Sequence, residues 1–212
     1  MEPFPRWELQ DVVSRLGHQL RNPLATIQSG IELAQLLARP EGEAADCLAG
    51  ALLEVARIDR ILGDLQRLVR LAPGEPTRAA IPALAELAAA RCTGCHAEIR
   101  LEGPEEMDIE TDAELLGVAL DELLGRAAAV TPPGEAASLR WGREDAGAAW
   151  IEVADGDRSA GPGSLRELLT TWPGSGLGPY LAERACALLG ARLEWEALPA
   201  RGHRFRIVLL RG

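Results

Sequence analysis

Apolar positions in the first third of the chain recur every seven residues. Val13, Leu20, Ile27 and Ala34 form one row, and Leu16, Leu24 and Ile31 fall three or four residues from it. This spacing predicts a long helix with one apolar stripe, close to a coiled-coil seam. Pro23 lies inside that helix, where it removes a backbone hydrogen bond and is expected to bend the axis. Arg39-Pro40-Glu41-Gly42-Glu43 breaks the pattern and predicts a turn. A second row, Leu48, Val55, Leu62 and Val69, with Leu52, Ile58 and Leu65 between, predicts a second helix. Two antiparallel helices alone bury such wide stripes poorly. Two hairpins paired as a four-helix bundle bury them well, so a homodimer is expected.

After Ala72-Pro73-Gly74-Glu75-Pro76-Thr77 the pattern changes character. The expected boundaries are a helical hairpin over 1–72, a linker over 73–78 and a mixed α/β domain over 79–212. In that domain, helices are expected over Ile81–Arg91, Asp112–Val130 and Pro179–Leu189. Strands are expected over Ala97–Leu101, Ala137–Trp141, Ala148–Val153, Arg192–Ala197 and Arg204–Leu210. Interleaved helices and strands predict an α/β sandwich, so the fold class is α+β. Trp141, Trp150 and Trp195 sit at strand positions and are expected in the core, whereas Trp172 is expected on the surface.

Composition narrows the function classes. The chain has 212 residues and a formal net charge of -10, which argues against nucleic acid as a partner. All 22 basic residues are arginine, as a GC-rich genome would give. No stretch approaches the roughly 18 apolar residues a membrane span requires, and Met1 to Pro5 lack the features of an export signal. The cytoplasm is therefore the expected compartment, and the four cysteines are expected as reduced thiols.

One segment carries chemistry. Leu16-Gly17-His18-Gln19-Leu20-Arg21-Asn22-Pro23-Leu24 resembles the phospho-acceptor box of two-component histidine kinases: His, acid, Leu or Ile, Arg or Lys, Asn or Thr, Pro, Leu. Six of seven positions match. The resemblance implies that His18 accepts a phosphoryl group. It lies off the Leu16/Leu20 seam, where its ring can face a partner, and neutral imidazole is a competent nucleophile. The family's acid, which takes the imidazole proton during autophosphorylation, is here Gln19, which has no basic carboxylate. Losing a general base costs about 10²–10⁴ in rate. Attack on a reactive phospho-aspartate would remain open. Asn22, one turn after His18 on the same face, occupies the position the family associates with dephosphorylation.

The second half is similar to the family's ATP-binding domain. In Leu120 to Gly134, the magnesium-ligating Asn of the family is replaced by Arg126 and its phosphate-binding Lys by Ala129. A cation cannot ligate Mg²⁺, which takes oxygen donors. Arg126 is expected to contact phosphate, if at all, in place of the metal. Glu122 stands at the family's first Asn and retains a carboxylate that could serve as ligand or base. In Asp155-Gly156-Asp157-Arg158-Ser159, Asp155 fits the aspartate that binds the adenine amino group, but the two expected glycines are Asp157 and Ser159. Gly174-Ser175-Gly176-Leu177-Gly178 matches the second glycine box, whose amides face phosphates. The lid between these boxes is short and lacks the usual Phe.

Together these departures predict a chain that uses ATP and Mg²⁺ poorly or not at all, with no resident metal. Cys92-Thr93-Gly94-Cys95-His96 has haem-attachment spacing. Such attachment takes place outside the cytoplasm, and a zinc site there lacks a fourth ligand. The expected function is a degenerate histidine kinase acting in a phosphorelay, exchanging phosphoryl groups between His18 and the aspartate of a response-regulator receiver, with a phosphatase role for Asn22. An active ATP-dependent kinase and a non-catalytic dimeric scaffold are the competing expectations. Input is expected from another protein or from a part of a longer chain.

Overall fold

The computed structural model describes residues 6–39, 41–92, 97–144, 147–157, 176–198 and 202–209, with side chains of 13, 14 and from 16 onward within them. The chain divides into two compact units, Met1–Arg70 and Leu71–Gly212.

The first unit is a helical hairpin, α1 (Arg6–Ala38) and α2 (Glu43–Arg70). Pro23 sits inside α1 without ending it. The turn uses Arg39 at φ 44° and Gly42 at φ 60°, and the Arg39 N–H caps α1 by donating to the Gln35 carbonyl at 3.1 Å. The apolar stripe of α1 splits in two. Val13, Leu24, Ile31 and Ala34 are half-buried against α2, where Val55 and Leu62 are buried. Leu16, Leu20 and Ile27 remain about half exposed, at 49%, 46% and 51%. The stripe is wider than the one neighbouring helix covers.

The second unit is an α/β sandwich. Its elements are β1 (Thr77–Ala80), α3 (Ile81–Arg91), β2 (Glu98–Glu102), β3 (Asp108–Thr111), α4 (Ala113–Val130), β4 (Ala136–Arg143), β5 (Ala149–Ala154), α5 (Gly178–Leu188), β6 (Arg192–Ala197) and β7 (His203–Leu209). The main sheet runs β2-β4-β5-β7-β6, with β2 and β4 parallel and the other pairs antiparallel. A second, two-stranded sheet pairs β1 with β3. Thr77 and Arg78, assigned to a linker by the sequence, are therefore strand residues. Apolar side chains from α3, α4 and α5 pack on one face of the main sheet with Leu139, Ile151, Val153, Phe205 and Ile207. The opposite face carries a ladder of charge in which Arg140, Glu152, Arg204 and Glu196 pair across strands. Trp150, expected in the core, is only half-buried and lies 4.9 Å beneath the Arg206 guanidinium. Asp112 caps α4 by accepting from the N–H groups of Glu114 and Leu115, and its other oxygen accepts from Gly74 at 2.6 Å. That bond fastens the segment before β1 to the start of α4.

Candidate functional site

His18 lies in the interior of α1 with its side chain exposed, as are Gln19 and Asn22. The helix beneath it is held by polar contacts. Gly17 is buried because the Gln66 side chain of α2 packs onto it: a Cβ at Gly17 would stand 2.0 Å from Gln66 Nε2. Gln66 is 7% exposed. Its amide donates to the Ser14 carbonyl at 3.3 Å and its oxygen accepts from Arg21 at 3.0 Å. Arg21 also pairs with Asp59 at 2.9 Å. The turn carrying His18 is thus anchored on its inner side while the imidazole stands outward. Asn22 follows one turn later on the same face, and its carbonyl accepts from Thr26 Oγ1 at 3.1 Å.

A second cluster sits in the α/β unit, where α4 meets the ends of β5 and β7. Arg126 and Asp155 form an ion pair with side-chain exposures of 1% and 0%. The guanidinium also lies 3.5 Å from Asp157, 3.3 Å from His203 Nδ1 and 5.5 Å from the centre of the Phe205 ring. Arginine has only donors, so where the two bond Nδ1 is the acceptor. Asp155 Oδ1 accepts the backbone N–H groups of Asp157 and His203, both at 3.0 Å. Gly202, at φ 84°, lets β7 approach so closely that a Cβ there would stand 2.0 Å from the Asp155 carbonyl oxygen.

This cluster does not suit magnesium nucleotide. One carboxylate oxygen of Asp155 already holds two N–H donors, the other holds a cation, and the side chain has no exposed surface. Asp155, Asp157 and His203 bring potential metal-ligand atoms within 4.8 Å of one another. The Arg126 guanidinium already pairs with all three, and a second cation there would be repelled.

A profile of the His Kinase A (phospho-acceptor) domain family matches residues 8–74. The chain is 27% identical over 204 residues to the signal transduction histidine-protein kinase/phosphatase MprB of Mycolicibacterium smegmatis, covering 86% of this chain and 41% of that protein. The hairpin thus matches a phospho-acceptor domain, and the chain as a whole is similar to sensor histidine kinases. Full-length ShkA, solved in complex with AMPPNP, superposes with a TM-score of 0.65 at 21% identity, over 94% of this chain and 45% of that one. The Acinetobacter baumannii histidine kinase AdeS gives 0.61 at 15% identity, over 91% and 96%. At these identities the two structures establish the fold of a histidine-kinase core. The chain spans less than half the length of MprB.

Within a histidine-kinase core, the sequence-derived residues fall into two separate groups. His18, Gln19 and Asn22 share α1. Asp155 and Arg126 meet in the second unit, but Arg126 does not face outward toward phosphates as expected; it turns inward because Asp155 and Asp157 compensate its charge. Glu122 is half-buried one turn before Arg126. Gly176, at φ 78°, and buried Gly178 open α5. Gly174, Trp172, Cys95 and His96 lie outside the described residues. His203 was not singled out from sequence. The alternation His203, Phe205, Ile207 at the start of a strand was the available signal, since it places all three on the inner face. Among the described helices, none is long and apolar enough to cross a membrane.

Proposed function

We propose that this chain is a histidine phosphotransfer protein of the cytoplasm, built on a histidine-kinase core, in which His18 exchanges a phosphoryl group with the aspartate of a response-regulator receiver domain. The observation carrying this reading is an exposed His18 in a phospho-acceptor box that keeps six of its seven positions, on a turn anchored from within by Gln66 and Arg21. In the exchange, the lone pair of the unprotonated ring nitrogen attacks the phosphorus of the acyl phosphate. An N–P bond forms, the P–O bond to the aspartyl carboxyl breaks, and the carboxylate leaves as the free acid anion. The proton on the other ring nitrogen is then released to water. A carboxylate is already a good leaving group and the neutral ring already has its lone pair, so Gln19 is no obstacle. The half-exposed Leu16, Leu20 and Ile27 support pairing of two hairpins into a homodimer.

The name of the relative MprB includes a phosphatase activity. In this chain, the Asn22 amide, on the same face as His18, is suited to orient a water against the receiver phosphate. The test is to mix the purified chain with a labelled phospho-receiver. Label is expected on His18 and absent from His18→Ala. Asn22→Ala is expected to keep the transfer while slowing receiver dephosphorylation about tenfold or more. No transfer together with no loss of receiver phosphate would refute the proposal.

A further inference from the structure

The α/β unit buries a full positive charge at the place where a kinase core would receive its nucleotide. An isolated buried guanidinium is very costly, and it persists only where neighbours compensate it. Here four side chains do so from three directions. Asp155 at the end of β5 pairs with it directly, and Asp157 stands 3.5 Å away on the following segment. From β7, His203 Nδ1 accepts at 3.3 Å and the Phe205 ring lies against the cation at 5.5 Å. The walls are fastened independently. The Thr131 hydroxyl at the end of α4 accepts from the Gly156 N–H at 3.0 Å, and the Gly202 N–H donates to the Asp157 carbonyl at 3.0 Å. α4, β5 and β7 are thereby drawn together around Arg126.

We propose that Arg126 is an internal plug: its guanidinium, locked among Asp155, Asp157 and His203, occupies the carboxylate that the resemblance to the family's ATP-binding domain assigns to the adenine amino group, and holds the α/β unit closed without nucleotide. This deepens the phosphotransfer reading by assigning a reason for the missing ATP chemistry, and it rests on that reading only for the identity of the displaced ligand. A purine amino group can reach Asp155 only if the ion pair opens, which would leave two buried charges to be solvated. The plug therefore excludes adenine nucleotides thermodynamically, with or without Mg²⁺. Arg126 also acts as a structural element whose loss is felt through Asp155, because removing one partner of a buried pair leaves the other uncompensated, whereas neutralising both leaves neither.

The experiment is thermal unfolding of the full chain as wild type, Arg126→Met, Asp155→Asn and the double variant, each with and without Mg-ATP, with Mg²⁺ and inorganic triphosphate as the ionic control. Wild type is expected to show no Tm shift with Mg-ATP beyond the control. Each single variant is expected to melt several degrees lower, and the double variant to recover more than half of the summed loss. A saturable Mg-ATP shift in wild type overturns the plug and needs no variant to fold. Losses that simply add in the double variant overturn it as well. Neither readout involves His18, so a failure of phosphotransfer and a failure of the plug are told apart.

Discussion

Gly17 and Gln66 set the position of the reactive histidine at the scale of single residues. A glycine inside a helix costs about 1 kcal/mol relative to alanine, so α1 gives up stability there. The return is the close approach of Gln66, whose amide bridges Ser14 and Arg21 one residue from His18. A Cβ at Gly30, on the same helix, would meet nothing within 4 Å. Opposite signs follow. Gly30→Ala is expected to stabilise the hairpin by about 0.5–1 kcal/mol. Gly17→Ala is expected to destabilise it by about 1 kcal/mol, because the displaced Gln66 loses buried hydrogen bonds worth more than the helix gains. Chemical denaturation of the two variants decides it, and Gly17→Ala stabilising the chain would remove Gln66 from the account. His18 and Asn22 were legible because a seven-residue box is local in sequence. The Arg126 cluster was only half legible. Asp155 was visible as a match to a pattern and Arg126 and Asp157 as departures from it, but the inward turn of the guanidinium depends on His203, 77 residues away, and on the register of β7. No local signal carries that.

At the scale of elements, the helices and main-sheet strands follow from period: 3.6 for α1 to α5 and two for the strands. β1 and β3 were missed because each has four residues, too few for an alternation to stand out, and β1 lies in a run of prolines and glycine that reads as a connector. α5 shows what burial does to chemistry. Cys186 is 1% exposed on its inner face. Burial, with a smaller contribution from the Glu183 charge, pushes its thiol up from 9.0 to about 12. Below pH 9.0 the thiol is protonated in both folded and unfolded chains and costs nothing. Between 9.0 and about 12 the unfolded chain sheds this proton and the folded chain keeps it. Stability should therefore fall as pH rises through that window, by about 1.4 kcal/mol per pH unit from this group. Urea unfolding of wild type against Cys186→Ala on either side of pH 9.0 isolates it. The wild type should show the steeper loss, and equal slopes would mean the thiol does not stay protonated in the fold.

At the scale of the whole molecule, the apolar surface left on the hairpin decides the assembly. Leu16, Leu20 and Ile27 project from α1 on the side that α2 does not cover, and Ile58 of α2 is 41% exposed. Scattered exposed leucines are ordinary, but Leu16, Leu20 and Ile27 recur at four- and seven-residue spacing along one helix, which is the geometry of a packing seam. Burying one such side chain contributes about 1.5–3 kcal/mol, and in a two-fold pair each position counts twice. A glutamate at Leu20 or Ile27 would place two carboxylates in the seam of a dimer while staying solvated in a monomer. Leu20→Glu and Ile27→Glu are each expected to weaken dimerisation about a hundredfold or more, with helix content unchanged by circular dichroism. Leu53→Glu, on a leucine that is 69% exposed but off the α1 stripe, serves as the contrast and is expected to leave the association intact. Sedimentation equilibrium reads the outcome. If wild type sediments as a monomer at concentrations where the glutamate variants do the same, the exposed stripe is not a subunit seam, and the phosphotransfer hairpin acts alone.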